Sequence, residues 1–283
     1  MKQCTSIEEI RKEISALKKN GHSIAFVPTM GALHDGHLSL IRLAKQKADQ
    51  VIVSIYVNPE QFGPNEDFDD YPRQMQQDLD ACEKEGVSLV FTPNNKVMYG
   101  SGKKYFQIEI DTLNEHMDGG SRPGFFEGIV LVVNKFFNII EPDVAIFGQK
   151  DIQQFQILKQ MVHEFNHDIE LIAAPIARAN DGLALSSRNA YLSDKERKIA
   201  PSLYRALKYV EKQITDGVME PKLLLRHQQD ELEAKGFKND YLSVFSMKTM
   251  VPVEKLEAGT QYILAGAVYL GKTRLIDNLI LDL

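Results

Sequence analysis

The sequence predicts an α/β fold in which a doubly wound parallel sheet is followed by a smaller C-terminal α+β domain. Short apolar runs alternate with helix-like segments over the first 176 residues, a pattern typical of βαβ units. One of these runs, 51–57, is apolar on both faces, as expected for a strand inside a parallel sheet. After Asn189 the pattern changes to two helical segments and three alternating segments, which indicate a small antiparallel sheet.

Each element has its own local signal. Ser6 and Glu9 form a capping box before a helix with apolar residues at helical spacing. In the first part we predict strands near 23–28, 51–57, 88–91, 143–147 and 169–176, helices at 36–48, 73–85, 129–140 and 151–166, and a mobile loop or lid at the glycine-rich segment 117–128. In the second part we predict helices at 194–215 and 220–235 and strands near 240–246, 261–270 and 273–279. A boundary near residue 177 divides the chain into domains 1–176 and 177–283.

The composition excludes several classes of protein. A net charge of −6 gives no electrostatic support for coating nucleic acid. Cys4 and Cys82 are the only cysteines, too few for a disulfide framework. The charged N-terminus lacks the apolar core of a signal peptide, and no apolar run approaches the roughly 18 residues of a membrane span. We therefore expect a cytoplasmic protein without a nucleic-acid or membrane partner.

The stretch 23–37 carries the clearest functional signal. An apolar run ends at Pro28, a turn containing Gly31 follows, and His34 and His37 stand at the entrance of a helix. Unpaired N–H groups and the positive end of the dipole favour phosphate at a helix N-terminus. Glycine lets the backbone approach a ligand closely. This H-x-G-H pattern predicts a site for nucleotide phosphates.

Two later loops offer similar chemistry. The segment 148–151, GQKD, follows an apolar strand and opens a helix, and 181–189, DGLALSSRN, carries hydroxyls and an arginine. Ligands of doubly wound sheets bind beyond the carboxyl ends of the strands. The order of these loops in the sequence therefore agrees with the expected position of the site.

Two further motif matches are rejected. Residues 266–273 fit the phosphate-loop pattern, but only ten residues follow Thr273, too few for the helix and strand that the motif needs. A hairpin turning at Gly271–Lys272 is the better interpretation. Residues 163–167 fit the zinc pattern H-E-x-x-H, yet no third ligand follows, so we interpret His163 and His167 as solvated side chains.

Four motifs, in order and spacing, resemble those of the pantothenate synthetase (pantoate–β-alanine ligase) family. They are PTMGALHDGH at 28–37, VNPEQFGPNEDFDDYPR at 57–73, GQKDIQQ at 148–154 and DGLALSSRN at 181–189. The resemblance covers nearly the whole chain. The wider resemblance is to H-x-G-H nucleotidyltransferases and class I aminoacyl-tRNA synthetases, which implies a Rossmann-like first domain that binds nucleotide and pantoate.

The resemblance implies a two-step ligation of D-pantoate to β-alanine through pantoyl adenylate, with release of pyrophosphate and AMP. It implies ATP with Mg²⁺, no tightly bound organic cofactor, and a homodimer. The catalytic residues it implies are His34, His37, Lys150 and Arg188, with His37 as a proton donor. The ATP-binding residues it implies are Met30, Gly31, Ala32, Leu33, His34, Asp35, Gly36, His37, Gly148, Gln149, Lys150, Asp151, Ala177, Leu185, Ser186, Ser187 and Arg188. Gln61 and Gln154 are implied for pantoate and β-alanine, and Asp78 is our candidate ligand for Mg²⁺.

One position departs from the family pattern, because Phe125 stands where many members carry histidine. Phenylalanine neither donates nor accepts a hydrogen bond, so this departure bears on substrate affinity.

Two alternative functions stay open from the sequence. One is another H-x-G-H nucleotidyltransferase, whose product keeps the nucleotide. The other is a non-catalytic ATP-binding regulator.

Overall fold

The fold class predicted from the sequence is confirmed. The computed structural model describes residues 1–63, 66–102 and 105–283, so Pro64 and Asn65 of the motif at 57–73 lie outside the described residues. Six parallel strands form one sheet: β1 (Lys2–Cys4), β2 (Ile24–Thr29), β3 (Gln50–Ile55), β4 (Leu89–Phe91), β5 (Val144–Gly148) and β6 (Glu170–Ala174). Three antiparallel strands form the other: β7 (Phe237–Ser246), β8 (Gln261–Leu270) and β9 (Thr273–Asp282).

The described helices follow the predicted order with a few differences. The Ser6–Glu9 capping box is formed in the first of them. They are α1 (Ile7–Lys19), α2 (Asp35–Ala44), α3 (Met75–Lys84), α4 (Asn95–Tyr99), α5 (Met117–Ser121), α6 (Phe125–Ile140), α7 (Ile152–Glu164), α8 (Asp194–Ile199), α9 (Ser202–Thr215) and α10 (Lys222–Ala234).

The chain divides into two compact units. The boundary between Pro175 and Ile176 lies close to the predicted domain boundary, but two short segments before it group with the second unit. The first unit comprises 1–110, 123–149 and 154–175, and the second comprises 111–122, 150–153 and 176–283.

In the parallel sheet of the first unit, the order in which successive strands are added changes direction at β2. Its strand order is β1-β4-β3-β2-β5-β6, so β3 and β4 extend from one side of β2 and β5 and β6 from the other. Ligands of such sheets bind at this switch point, beyond the carboxyl ends of the strands. The loop after β2 and the end of β5 therefore emerge at the same edge of the sheet.

Apolar side chains cover both faces of this sheet. Val27, Val53 and Ile146 pack in a cluster with Ile41 of α2 and Cys82 of α3. In α6, Phe136 meets the rings of Phe26 and Phe91 edge to face, at centroid distances of 5.6 and 6.2 Å. Burial on both faces explains why these strands are continuous apolar runs.

In the second unit, α9 and α10 pack on the antiparallel sheet. Leu203, Leu207, Val210 and Ile214 recur at helical spacing along α9 and are buried in one apolar cluster with residues of β7, β8 and β9. The rejected phosphate-loop match is the hairpin between β8 and β9, which turns at Gly271. The hairpin interpretation is therefore confirmed.

Three features differ from the expectations. The predicted helix 194–215 is two helices, α8 and α9, separated at Ala200–Pro201, because proline has no N–H to donate inside a helix. The segment expected to be a mobile loop contains α5, in which Asp118 and Gly119 donate backbone N–H bonds to the side chain of Gln153. The short elements β1 and α4 were not predicted. No helix among the described residues is long and apolar enough to cross a bilayer.

Candidate active site

The loop after β2 places two imidazoles side by side. His34 is the N-cap of α2, and its Nδ1 accepts the backbone N–H of Gly36 at 3.1 Å. Nδ1 of His37 accepts the backbone N–H of His34 at 3.3 Å. The two ring centroids are 4.1 Å apart. Because both Nδ1 atoms accept, the neutral rings carry their proton on Nε2, so each side chain is set to donate from Nε2.

Asp78 holds the backbone of this loop in place. Its Oδ2 accepts the N–H of Ala32 at 2.9 Å and its Oδ1 accepts the N–H of Leu33 at 2.8 Å. Gly31 and Ala32 both have positive φ, +81° and +50°, a conformation that is costly for alanine. A Cβ atom at Gly31 would lie 2.9 Å from Asp78 Oδ2. A charged acceptor thus stabilises a strained turn just before His34.

This geometry bears on the expected role of Asp78 as a magnesium ligand, which stays a prediction. The side chain is only 1% exposed, and Gln74 supplies a third donor to its Oδ1 at 3.2 Å. Both oxygens therefore accept hydrogen bonds from N–H groups. No group of three metal-ligating side chains occurs in the part of the chain that the structure describes.

Gln61 lies next to the same loop. Its Nε2 is 2.7 Å from the sulfur of Met30, and its Oε1 accepts from Asn58 Nδ2 at 3.2 Å. The short 3₁₀ turn Pro59–Gln61 that carries it is capped by Asn58. Asn58 also donates to the carbonyl of Gly128 in α6 at 3.2 Å. The residue expected at the acid substrate is thus fixed beside the H-x-G-H loop.

An open cleft of about 610 Å³ borders the loop on the side of α3. Its size is in the range of small-molecule sites, and its lining is largely apolar, with Met30, Tyr56, Phe68 and Met75 among the lining residues. The hydroxyl of Tyr56 donates to Asn95 at the rim, at 2.9 Å.

The end of β5 and the residues after it carry the second motif. Gly148 and Gln149 belong to the first unit, at the end of the strand next to β2. Lys150 and Asp151 belong to the second unit, and Lys150 Nζ lies 3.7 Å from Asp151 Oδ1. Gln154 lies in the first turn of α7 and is half-buried.

The second unit brings Lys150 and the 181–189 loop together. Lys150, Ser186, Asn189 and Asp277 line a cavity of about 20 Å³, enough for one water molecule. Asn189 donates to the carbonyl of Ala184 at 3.0 Å, while its Oδ1 is buried without a partner among the described residues. Asn189, which carries this acceptor, and Lys150 thus line the same small space.

The rest of this loop is ordered by local hydrogen bonds. Ser186 caps the 3₁₀ turn Ser187–Tyr191 by accepting the N–H of Arg188 at 3.3 Å. Leu185 donates its backbone N–H to the carbonyl of Ala177 at 2.9 Å. The two residues expected near the adenine are therefore neighbours.

The zinc-like match 163–167 does not form a metal site. Helix α7 ends at Glu164 and Asn166 has a positive φ of +53°, so His163 and His167 do not share a helical face. His163 is exposed as expected, whereas His167 is half-buried. His167 Nε2 is 2.9 Å from Asn134 Oδ1. Burial lowers the pKa of His167.

Sequence reasoning did not identify Asn58, Asp277 or Asn278 as parts of the site. Asn58 lies inside the motif at 57–73. An asparagine two residues before Glu60, at the start of a helical turn, is a recognisable N-cap signal. Asp277 and Asn278 lie in an alternating strand without a motif, and only the fold brings them to Lys150.

Comparisons with known proteins show the family of the chain. The family model described as pantoate–β-alanine ligase matches residues 2–280. The chain is 47% identical over 277 residues to the pantothenate synthetase of Caldicellulosiruptor bescii, covering 98% of this chain and 97% of the relative. It is 46% identical to that of Carboxydothermus hydrogenoformans, covering 100% and 99%.

Solved structures match over the same length. Pantothenate synthetase from Thermus thermophilus has a TM-score of 0.89 at 39% identity, covering 99% of both chains. The enzyme from Francisella tularensis, complexed with beta-gamma ATP and β-alanine, has a TM-score of 0.83 at 36% identity, covering 99% of this chain and 97% of its own. The chain belongs to the pantoate–β-alanine ligase family and is, by that membership, an amide-bond-forming ligase.

Proposed function

We propose that the chain joins D-pantoate to β-alanine in two steps driven by ATP. In the first step a carboxylate oxygen of pantoate attacks the α-phosphorus of ATP, the bond to the β-phosphate oxygen breaks, and pyrophosphate leaves. In the second step the β-alanine amine attacks the acyl carbon of pantoyl adenylate and loses a proton. The acyl–oxygen bond breaks, and pantothenate and AMP are the products.

The observation that carries this proposal is the contact of Gln61 with Met30. It fixes an amide suited to a hydroxy acid beside the loop suited to phosphate. A nucleotidyltransferase with a different acceptor gives no reason for this amide at this point. A related structure supports the substrates, because the Francisella tularensis enzyme was solved with beta-gamma ATP and β-alanine.

The chemistry requires positioning and neutralisation of charge more than proton transfer. A carboxylate with an ordinary pKa near 4 is already ionised at neutral pH. The difficulties are bringing two anions together and stabilising the departing pyrophosphate, which fixed donors achieve. We assign the Nε2–H donors of His34 and His37 to the triphosphate, with His37 also able to give up its proton.

The remaining assignments follow from residue type and place. Lys150 acts as a point charge on the β- and γ-phosphates, and Arg188, with Ser186 and Ser187, binds them as a fork of donors. Gly148, Gln149 and Asp151 serve the ribose and phosphates, Ala177 and Leu185 the adenine, and Gln154 works with Gln61 on the acid substrates. Mg²⁺ enters as part of the substrate MgATP, bound by its phosphates.

A homodimer is part of the proposal. Tyr105 and Phe106 stand next to each other, 75% and 92% exposed, and adjacent exposed rings favour an interaction surface. Sedimentation velocity at micromolar concentration tests it. A dimer that dissociates in Phe106→Ser is expected, and a monomeric wild-type chain contradicts it.

The test of the reaction is pyrophosphate release from MgATP. With D-pantoate alone we expect a burst of about one equivalent per site, because the adenylate stays bound. Adding β-alanine should convert the burst into steady turnover with AMP. ATP binding without pantoate-dependent release would overturn the proposal and favour a regulator or a different nucleotidyl acceptor.

A further inference from the structure

A buried amide of the C-terminal strand holds the backbone of Lys150. Asn278 lies in β9 and is 2% exposed. Its Nδ2 donates to the carbonyl oxygen of Lys150 at 2.9 Å, across 128 positions of sequence. Lys150 is the middle residue of a single 3₁₀ turn, Gln149–Asp151. This bond fixes the peptide from which the lysine side chain starts.

The carboxylate of the neighbouring residue, Asp277, acts electrostatically on the ammonium group of Lys150. Asp277 is buried and binds Arg178 through two bonds of 2.5 and 2.8 Å. Burial raises the pKa of this carboxyl, whereas the charges of Arg178 and Lys150 oppose the rise. Asp277 and Lys150 line the same 20 Å³ cavity together with Ser186.

The two residues of β9 are also joined to each other. Oδ1 of Asp277 accepts the backbone N–H of Asn278 at 2.8 Å, so the carboxylate and the amide form one rigid unit with Arg178. Because Arg178 takes both carboxylate oxygens, Asp277 attracts the ammonium of Lys150 without holding it in a tight pair. The ammonium instead makes a loose ion pair with the half-exposed Asp151, 3.7 Å from its Oδ1, which an entering phosphate can displace.

We propose that Asn278 and Asp277 are positioning residues for Lys150, Asn278 through the backbone and Asp277 through the charge of its carboxylate. The proposal rests on the function assigned above, in which Lys150 binds the ATP phosphates. A lysine side chain is long and flexible. Fixing both its origin and its electrostatic surroundings restricts the positions of the ammonium before the nucleotide arrives, which is the benefit of a preorganised site.

The experiment is a double-mutant cycle between Asn278→Ala and Lys150→Ala, measured by pantoate-dependent pyrophosphate release. Asn278→Ala alone should lower kcat roughly 10- to 100-fold, the range for a displaced catalytic group, with KM for pantoate unchanged. In the Lys150→Ala background the same change should have no further effect, because Asn278 acts through Lys150. Asn278→Asp, which keeps the shape but cannot donate, should behave as Asn278→Ala does.

Asn239→Ala is the matched control. Asn239 also donates to a backbone carbonyl of the second unit, that of Gln229 at 3.0 Å, but in β7 and away from the cavity. Its loss should lower the melting temperature without changing kcat. Asp277→Asn, which retains one acceptor for Arg178, should show the same dependence on Lys150 as the Asn278 variants.

Either of two results would overturn the proposal. One is a wild-type kcat in folded Asn278→Ala. The other is a double variant in which the fold-loss of kcat is the product of the two single-variant losses. If the wild-type chain releases no pyrophosphate, the proposed function fails. The double-mutant cycle is then repeated with the Kd for ATP, measured by calorimetry, in place of kcat. In that case Asn278→Ala should weaken ATP binding only when Lys150 is present. An unchanged Kd, or an additive effect, rejects the positioning role independently.

Discussion

Nδ1 of His37 accepts the backbone N–H of His34, at 3.3 Å. This bond ties the two imidazoles of the H-x-G-H loop into one capping arrangement, because His34 in turn accepts from Gly36. The same atoms that stabilise the start of α2 thereby determine which ring nitrogen carries the proton. Structural and chemical roles of these histidines can therefore be separated by substitution.

His34→Asn should keep the fold and lose the reaction. Asparagine is a preferred N-cap and its side-chain oxygen can accept from Gly36, but it has no donor where Nε2–H stands. We expect a melting temperature near that of the wild type and a fall in adenylate formation of roughly 100-fold or more. His34→Ala should lose the activity and also about 1 kcal/mol of stability. Near-wild-type pyrophosphate release in His34→Asn would contradict the phosphate role.

Asp78→Asn should destabilise the loop and leave the response to magnesium unchanged. The amide presents hydrogen atoms to backbone N–H groups that now meet a carboxylate, which should cost about 3 kcal/mol in the free energy of unfolding. Urea unfolding measures this loss. Asp80→Asn, at an exposed position of the same helix, is the control. A large rise in the Mg²⁺ concentration needed for half-maximal rate, without loss of stability, would support the metal-ligand role.

Gly128→Ala should disturb Gln61 from a distance. A Cβ atom at Gly128 would overlap the carbonyl oxygen of Glu60, so α6 and the 3₁₀ turn would have to separate. We expect a loss of about 3 kcal/mol and a raised KM for pantoate. Gly63→Ala lies two residues beyond Gln61 and meets only ordinary contacts, so it should be tolerated. Equal effects of the two variants would exclude this packing as the cause.

Lys150→Ala should lower the rate of adenylate formation roughly 100- to 1000-fold, as expected for loss of one charge-stabilising group. Lys150 lies outside the apolar clusters and lines a cavity, so the melting temperature should change little. Lys159→Ala, an exposed lysine of α7, should leave both quantities unchanged. Activity that survives in Lys150→Ala would remove Lys150 from the phosphate site.

His167 should make stability depend on pH. Burial lowers its pKa in the folded chain, so the unfolded chain binds the proton more readily near its ordinary value of 6.5. The contribution of neutral His167 is present above that pH and is lost as the pH falls. Urea unfolding from pH 8 to pH 5 should therefore show a slope that His167→Asn reduces. His163→Asn should retain the slope and the activity, and a large loss of activity would support a metal at 163–167.

The elements with a local cause were predicted well. The capping box at Ser6, the apolar helix before Ile140 and the hairpin at Gly271 depend on neighbouring residues, so their patterns are visible in the sequence. The break at Pro201 was missed although its cause is also local. Strand β1 has only three residues, held by pairing with β4, and such pairing leaves no periodic pattern to find.

The sequence by itself determined the order of strands and helices, the four motifs and hence the family, because these depend on residue type and spacing. Tertiary structure alone decided the strand order that places β5 beside β2, the role of Asp78 as an acceptor for Ala32 and Leu33, and the bond from Asn278 to Lys150. The physical reason is sequence separation. Hydrogen bonds between groups 45 to 128 positions apart form only after both segments are packed, and nothing in either segment alone specifies its partner.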